Sequence, residues 1–126
     1  MKKPDVFYRG EDKILRCALT DDTGTVISLA IYSNIVVYIY SFTDKTILQK
    51  YSMIPIADHD NTNFVVTSVP GGTFNIQMLA NITINAVEDY YYIEIKGKEA
   101  AGINFKPILM TILCEYKDAQ TKSILN

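Results

Sequence analysis

Acidic residues stand side by side at three places in the chain, and the single histidine lies among further acids. The pairs are Glu11 with Asp12, Asp21 with Asp22 and Glu88 with Asp89, and His59 stands in the sequence DHDN. Such groups can transfer protons during catalysis when a nucleophile or a second base lies beside them. Each pair falls in a polar turn, and no nucleophile motif such as G-x-S-x-G is present. We therefore expect turn-closing carboxylates, no catalytic residue and no enzyme.

Some of these polar side chains are of types that bind metal ions. Oxygen-bearing side chains alternate in DHDNTN, residues 58–63, but the stretch lacks the glycine and terminal Glu of an EF-hand loop. A solvated loop is the default interpretation, and calcium is the alternative. Cys17, Cys114 and the one histidine cannot assemble a Cys/His zinc site within one chain. Both cysteines lie in apolar strand patterns and are predicted to be reduced, structural thiols, so no cofactor is expected.

The composition is that of a folded chain, since hydrophobic residues make up 48% and charged residues 21%. Twelve basic and fourteen acidic residues leave a formal net charge of −2, without a basic run that could follow a phosphate backbone. The longest apolar run, residues 35–40, is too short to span a bilayer. We expect one domain over residues 1–126 with short arms at 1–4 and 118–126, and no nucleic-acid or membrane partner.

Any functional side chains must be positioned by strands. Short segments rich in β-branched and aromatic residues alternate with turn residues, which is typical of an all-β sandwich. Turns are indicated by DDTG at residues 21–24, where Gly24 tolerates positive φ, by TDKT at 43–46 and by PGG at 70–72. The predicted strands are residues 5–10, 13–20, 34–42, 46–53, 63–69, 73–83, 90–96 and 106–117. We predict an immunoglobulin-like antiparallel β-sandwich of about seven or eight strands.

Alternation separates inward from outward side chains, because successive residues of a strand face opposite sides of the sheet. The predicted inward sets are Ile35, Val37 and Ile39, then Tyr91, Ile93 and Ile95, and in the last strand Ile108, Met110, Ile112 and Cys114. The outward sets are Val36, Tyr38 and Tyr40, then Tyr90, Tyr92, Glu94 and Lys96, and finally Leu109, Thr111, Leu113 and Glu115. The strand at 34–42 is thus apolar or aromatic on both faces.

These three strands correspond to strands C, F and G of an immunoglobulin-like sandwich, which share one sheet. Their outer face would then be one apolar and aromatic surface of the kind that marks a contact. We expect a partner molecule to cover it. Two alternatives remain open: a loop of the same chain folds over this face, or the tyrosines lie at the surface with their hydroxyls in water.

Three stretches resemble a known family. VFYRGEDKILRCALTDDTGTVISLA (residues 6–30), NIVVYIYSFTDKTILQKYS (34–52) and EDYYYIEIKG (88–97) resemble the immunoglobulin-like N-terminal domain of phage baseplate upper proteins and related virion proteins. In that family a charged motif precedes a strand, an acidic-glycine turn follows, and a glycine and tyrosine introduce a late strand. Here Glu88 and Asp89 replace that glycine, so this turn must close differently.

The resemblance implies a virion component that is assembled in the host cytoplasm. We expect a non-enzymatic structural protein of a phage, an auxiliary decoration or fibre-anchoring protein on the capsid surface. Its partners would be the major capsid protein or fibre and tail proteins, and a homo-oligomer remains open. The alternatives are a tail or baseplate adaptor and a glycan-binding module, since exposed tyrosines can stack on sugar rings.

The C-terminal stretch 118–126 contains apolar residues that an isolated flexible tail does not need. They would insert into a neighbouring molecule or pack back on their own domain. The predicted interaction residues are Tyr38, Tyr40, Tyr90, Tyr92, Leu109, Leu113, Ile124 and Leu125.

Overall fold

The computed structural model describes the backbone of residues 5–117 and the side chains of residues 7–109. The strands are β1 (Asp5–Tyr8), β2 (Lys13–Ala18), β3 (Tyr32–Ser41), β4 (Ile47–Ser52), β5 (Phe64–Ser68), β6 (Thr73–Met78), β7 (Asp89–Glu99) and β8 (Lys106–Lys117). A 3-10 turn at Leu29–Ile31 and a short helix, α1 (Ala80–Thr83), are the helical segments of this part of the chain. The prediction of an all-β protein is confirmed.

The strands form two sheets around a shared hydrophobic core. One sheet has the order β1-β8-β7-β3-β4, in which β1 runs parallel to β8 and the other neighbours are antiparallel. The other is antiparallel with the order β2-β6-β5. Because β3, β7 and β8 are neighbours, the predicted sharing of one sheet by strands C, F and G is confirmed, and the arrangement is that of an immunoglobulin-like sandwich.

The core forms where the inner faces of the two sheets meet. Phe64 and Phe74 of the three-stranded sheet stack with ring centroids 4.5 Å apart. From the five-stranded sheet, the inward sets predicted for β3 and β7 are all buried in this cluster: Ile35, Val37, Ile39, Tyr91, Ile93 and Ile95. Alternation of side chains along each strand accounts for this result, because every second residue reaches the inner face.

The turn before β7 is closed by a tyrosine. The Tyr91 hydroxyl accepts a hydrogen bond from the Val87 N–H at 2.9 Å. Immunoglobulin-like sandwiches carry such a tyrosine corner at the start of strand F, bonded to the backbone a few residues upstream. The Asp89 carboxylate adds bonds from the N–H groups of Tyr90, at 2.8 Å, and Thr43, at 3.0 Å. These contacts close the turn before β7, where the phage baseplate domains that the sequence resembles have a glycine.

The predicted strand 73–83 is wrong at its end, because β6 stops at Met78 and α1 follows. The carboxylate of Asp12 accepts a hydrogen bond from the Ala80 N–H. The Thr83 hydroxyl donates to the Glu11 carbonyl at 2.8 Å and accepts from the Gly10 N–H at 3.1 Å. Polar groups of the β1–β2 turn therefore hold this segment as a helix, and they override its alternating apolar pattern.

The outward direction predicted for Leu109 is also wrong. A register shift between β7 and β8 pairs Lys96 with Pro107 but Ile95 with Leu109, so Ile108 is an extra residue of β8. Directly paired residues face the same side of a sheet, and Ile95 faces inward. Leu109 accordingly lines an opening between the sheets together with Ile95, while Ile108 packs against the core as predicted. For residues 110–115 of β8 the predicted directions lie outside the described side chains.

Candidate interaction surface

The outer face of the five-stranded sheet carries aromatic side chains at the end where β3 turns into β4. Tyr40 of β3 pairs with Tyr92 of β7, and their ring centroids are 5.8 Å apart at an interplanar angle of 34°. Phe42, which follows β3, lies 5.6 Å from the Tyr92 ring at 42°. On the other side of Tyr40, Ile47 of β4 is its cross-strand partner. We call Tyr40, Phe42, Lys45, Ile47, Tyr90 and Tyr92 the aromatic patch.

One cation lies over the rings of this patch. The Lys45 Nζ is 5.9 Å from the ring centroid of Tyr40, 5.1 Å from that of Phe42 and 5.3 Å from that of Tyr92. A lysine within about 6 Å of an aromatic face is attracted by the ring quadrupole. The three rings therefore share a single positive charge at the surface.

The β3–β4 turn sets the position of Lys45. Its φ of 62° is a left-handed conformation that few residues other than glycine adopt. The Asp44 carboxylate supports this turn by accepting hydrogen bonds from the Ser41 hydroxyl and from the Thr46 N–H, the latter at 2.9 Å. These bonds hold the pKa of Asp44 at about 2, below its ordinary value of 3.8. The turn is thus tied together by an ionised side chain.

The patch is accessible to solvent although its rings contact one another. Phe42 and Ile47 are each 48% exposed and Tyr90 is 44% exposed, while Tyr40 and Tyr92 are half-buried. Burial, followed by the nearby Glu94 and Tyr92, raises the pKa of Tyr40 above its ordinary value of 10. Its hydroxyl is therefore protonated at neutral pH.

The other end of the same face is covered by the β4–β5 loop, residues 53–63. Val36 is only 1% exposed although it faces away from the core. The loop begins over this face, because the Asn34 side-chain oxygen accepts a hydrogen bond from the Ile54 N–H at 2.8 Å. It returns along the edge of β4, where the Asp60 N–H donates to the Lys50 carbonyl at 2.9 Å. Val36 is thus covered by its own chain.

Tyr38 lies under this loop as well. Its hydroxyl lies 3.2 Å from the Nε2 of His59, and the two ring centroids are 5.6 Å apart. The Nδ1 of His59 lies 2.8 Å from the Ala57 carbonyl, so it donates to that carbonyl and leaves Nε2 to accept from the tyrosine. The Lys96 Nζ lies 5.6 Å from the centre of the Tyr38 ring. The polar tip of Tyr38 is therefore engaged within the chain.

The structure brings together only part of the predicted interaction set. Tyr40, Tyr90 and Tyr92 belong to the aromatic patch, whereas Tyr38 shares their face but lies under the loop, and Leu109 faces the opening between the sheets. The side chains of Leu113, Ile124 and Leu125 lie outside the described residues.

Sequence reasoning missed three members of the patch: Phe42, Lys45 and Ile47. Phe42 stands two residues after Tyr40, so the same alternation of side chains predicts that it lies on the outer face. Ile47 could be predicted only from the register of the β3–β4 hairpin, which pairs it with Tyr40. Lys45 had no comparable signal, because its position depends on the left-handed backbone of the turn.

The adjacent carboxylates act mainly in turns, as predicted. Asp21 Oδ1 accepts hydrogen bonds from the Thr23 hydroxyl and from the N–H groups of Thr25, at 3.0 Å, and Thr23, at 2.9 Å, and in that order these bonds lower its pKa. Gly24 in the same turn has a φ of 84°, as its place in the sequence predicted. Asp60 of the stretch considered for calcium accepts from the Asn63 N–H at 3.0 Å. Within the described residues, no three His, Cys, Asp or Glu side chains are grouped closely enough to hold a metal ion.

Cys17 is a free thiol that packs against the core from β2. Its burial raises the pKa to about 11, so the reactive thiolate is scarce at neutral pH. The side chain of Cys114 lies outside the described residues. Cys17 therefore acts as a small apolar core residue.

No protein-family model matches the sequence, and a search of curated proteins finds no significant match. Among the residues that the structure describes, no helix has the length and apolar character needed to cross a membrane.

Proposed function

We propose that this chain is a non-enzymatic structural protein of a phage virion, an auxiliary protein of the capsid surface that docks through its aromatic patch. The observation that carries the proposal is the exposed cluster of Tyr40, Phe42 and Tyr92 under Lys45, on the half of the outer face that the β4–β5 loop leaves open. The virion setting is supported by the resemblance of residues 6–30, 34–52 and 88–97 to domains of phage baseplate upper proteins.

The composition of the patch suits a contact with another protein. Tyrosine and phenylalanine are enriched at the centres of protein interfaces, because their large, rigid rings bury much area with few rotatable bonds. The Phe42, Ile47 and Tyr90 side chains are about half exposed and could bury further surface on docking. Lys45 adds a single charge at the centre, which would orient a partner that carries a carboxylate.

Among the described residues, the Asp and Cys side chains with shifted pKa values support a non-catalytic role. The pKa shifts of Asp21 and Asp44 arise from hydrogen bonds that close turns, and that of Cys17 arises from burial in the core. Active sites instead gather perturbed groups in one cleft, where they can reach a substrate. These three residues lie on different elements and have local structural causes for their shifts.

Ring orientation favours a protein partner over a sugar. A pyranose stacks on an accessible aromatic face, whereas the Tyr40, Phe42 and Tyr92 rings are tilted toward one another by 34° and 42° and have the Lys45 amine over them. Such a three-ring cluster resembles the packed aromatic anchor of a protein interface more than a flat sugar platform.

The test combines particle composition with one substitution. Phe42→Ala removes an exposed ring and should weaken attachment to particles by roughly 30-fold, since truncating a central interface aromatic costs about 2 kcal/mol or more. The matched control is Val26→Ala, because Val26 is 51% exposed, close to the 48% of Phe42, and lies outside the patch. Attachment is measured by quantitative mass spectrometry of particles purified after addition of each variant.

Copy number then locates the protein. A number of copies per particle close to that of the major capsid protein supports the capsid position. A small number, equal to that of the subunits in a tail ring, indicates an adaptor at the tail or baseplate. Absence of the chain from particles would overturn the virion assignment. Equal attachment of the two variants would overturn docking through the patch, and retention on a glycan array that Phe42→Ala abolishes would favour the glycan-binding alternative.

A further inference from the structure

Strand β5 forms one edge of the three-stranded sheet and has few of the features that usually protect an edge. Within the described residues, β6 is its only neighbour. Its sequence FVVTS contains no charge and no proline, and Val65 and Val66 are 38% and 39% exposed. Natural proteins blunt exposed edges with charges, prolines or bulges, because an open edge pairs readily with another strand. One bulge occurs in β5, but it lies after Val66.

The other three edge strands differ from β5 in charge. β1 contains Asp5, β2 contains Lys13 and Arg16, and β4 contains Lys50. The edge of β4 is also occupied by its own loop, through the parallel bridge between Tyr51 and Asp60. Of the four edges, β5 is therefore the one whose sequence permits pairing with another strand at the lowest electrostatic cost.

The lack of charge extends well beyond the strand itself. Residues 61–87 contain no Asp, Glu, Lys or Arg, and this stretch includes all of β5, β6 and α1. Beside Val65, the outer face of the sheet presents the neutral side chains of Asn75 and Gln77 on β6. Two identical surfaces that meet across a two-fold axis bring like residues together, so a charged surface would repel its copy. An uncharged surface is free of this penalty.

The backbone of β5 is oriented for such pairing. The Asn63 carbonyl accepts a hydrogen bond from the Gln77 N–H of β6 at 2.9 Å. Because ladder bonds alternate along an antiparallel strand, residues 63 and 65 bond toward β6, and the main-chain groups of Val66 point toward the open edge. We propose that β5 pairs antiparallel with β5 of a second copy of this chain, with the two-fold axis at Val66. The two three-stranded sheets then become one continuous sheet.

The proposal is tested by measuring the mass of the full chain in solution. Sedimentation equilibrium should show a concentration-dependent dimer of the 14.2 kDa chain. Val65→Lys places two ammonium groups beside the axis and should weaken the dimer by roughly tenfold or more. The matched control is Ile103→Lys, because Ile103 is 86% exposed in the β7–β8 connection and the substitution adds the same charge.

A second substitution separates loss of pairing from loss of folding. Val66→Pro removes an N–H that points to the open edge, a position where edge strands tolerate proline, so the monomer should stay folded by circular dichroism but fail to dimerise. Val66→Ala keeps the N–H and should dimerise. A chain that remains monomeric at roughly 1 mM overturns the proposal. So does a dimer that both Val65→Lys and Val66→Pro leave intact. Phe42→Ala should not change the monomer–dimer equilibrium, because the aromatic patch lies on the other sheet.

Discussion

The two ends of the outer face of the five-stranded sheet have similar side chains but different surroundings. At one end, Val36 and Tyr38 lie beneath the β4–β5 loop, and the tyrosine hydroxyl meets His59. At the other end, Tyr40 and Tyr92 lie beneath the Lys45 amine and beside the half-exposed Phe42. The outer face of β3 is therefore apolar for two different reasons. The β4–β5 loop covers the first half of the strand, and the second half belongs to the exposed aromatic patch.

This difference separates a structural role from a docking role. A side chain that the loop buries contributes to the free energy of unfolding, because it is removed from water when the chain folds. A side chain in the patch remains partly in water and can still bury area against a partner. Substitutions at the two ends should accordingly affect different measurements, namely stability at the loop end and attachment at the patch.

The largest effect on stability is expected for Val36→Ala. Val36 is 1% exposed, so truncation removes buried methyl groups and leaves a cavity under the loop. The free energy of unfolding should fall by about 2 kcal/mol. Ile47→Ala, at the open end and 48% exposed, should cost less than about 1 kcal/mol. Urea unfolding of both variants measures the difference, and equal costs would show that the two ends are not distinct.

Much of this fold could be predicted from alternation alone. The inward sets of β3 and β7 are correct because each strand packs one face on the core, and a period of two identifies that face whatever the neighbours are. The turn at Asp21 and Gly24 is also correct, since its chemistry is local: a carboxylate accepts nearby N–H groups and a glycine adopts positive φ.

The remaining features depend on contacts between distant residues. α1 forms where Asp12 and Thr83 join it to the β1–β2 turn, and no periodicity within residues 79–87 indicates that partner. Leu109 faces inward and not outward because β8 contains one extra residue, Ile108, at this point. Such a residue moves the next one to the other face of the sheet, and the hydrophobic pattern of the sequence does not reveal it. The cover over Val36 depends on the path of a polar loop, which was predicted to be merely exposed.

A smaller effect is expected for the contact that joins the loop to the sheet. Tyr38→Phe removes the hydroxyl that bonds to His59, and His59→Ala removes its partner. A double-mutant cycle should give a coupling of about 0.5–1 kcal/mol in the free energy of unfolding, which is typical of a partly exposed neutral hydrogen bond. Tyr92→Phe combined with His59→Ala is the control and should show no coupling. Zero coupling for the first pair would mean that the loop is held by its other hydrogen bonds, such as those of Asn34 and Asp60.

The smallest effect concerns the open end, where an ionised carboxylate supports the turn below the patch. Hydrogen bonds from Ser41 and Thr46 hold the pKa of Asp44 at about 2, whereas the unfolded chain should have a value near the ordinary 3.8. Because the folded pKa is the lower one, the ionised carboxylate stabilises the fold above about pH 4, and this stabilisation is lost as the pH falls toward about 2. Asp44→Asn should therefore reduce the acid dependence of the melting temperature in that window.

Asp22→Asn is the control for that measurement, because it changes the same charge on an exposed turn but leaves the Asp44 hydrogen bonds in place. The dependence should be reduced and not abolished, since the pKa of Asp21 is also lowered by hydrogen bonds within its turn. An identical acid dependence in Asp44→Asn and the unmodified chain would show that the carboxylate does not support the turn. Lys45 would then be held over the rings by cation–π attraction and backbone geometry alone, and acid should leave the aromatic patch able to dock.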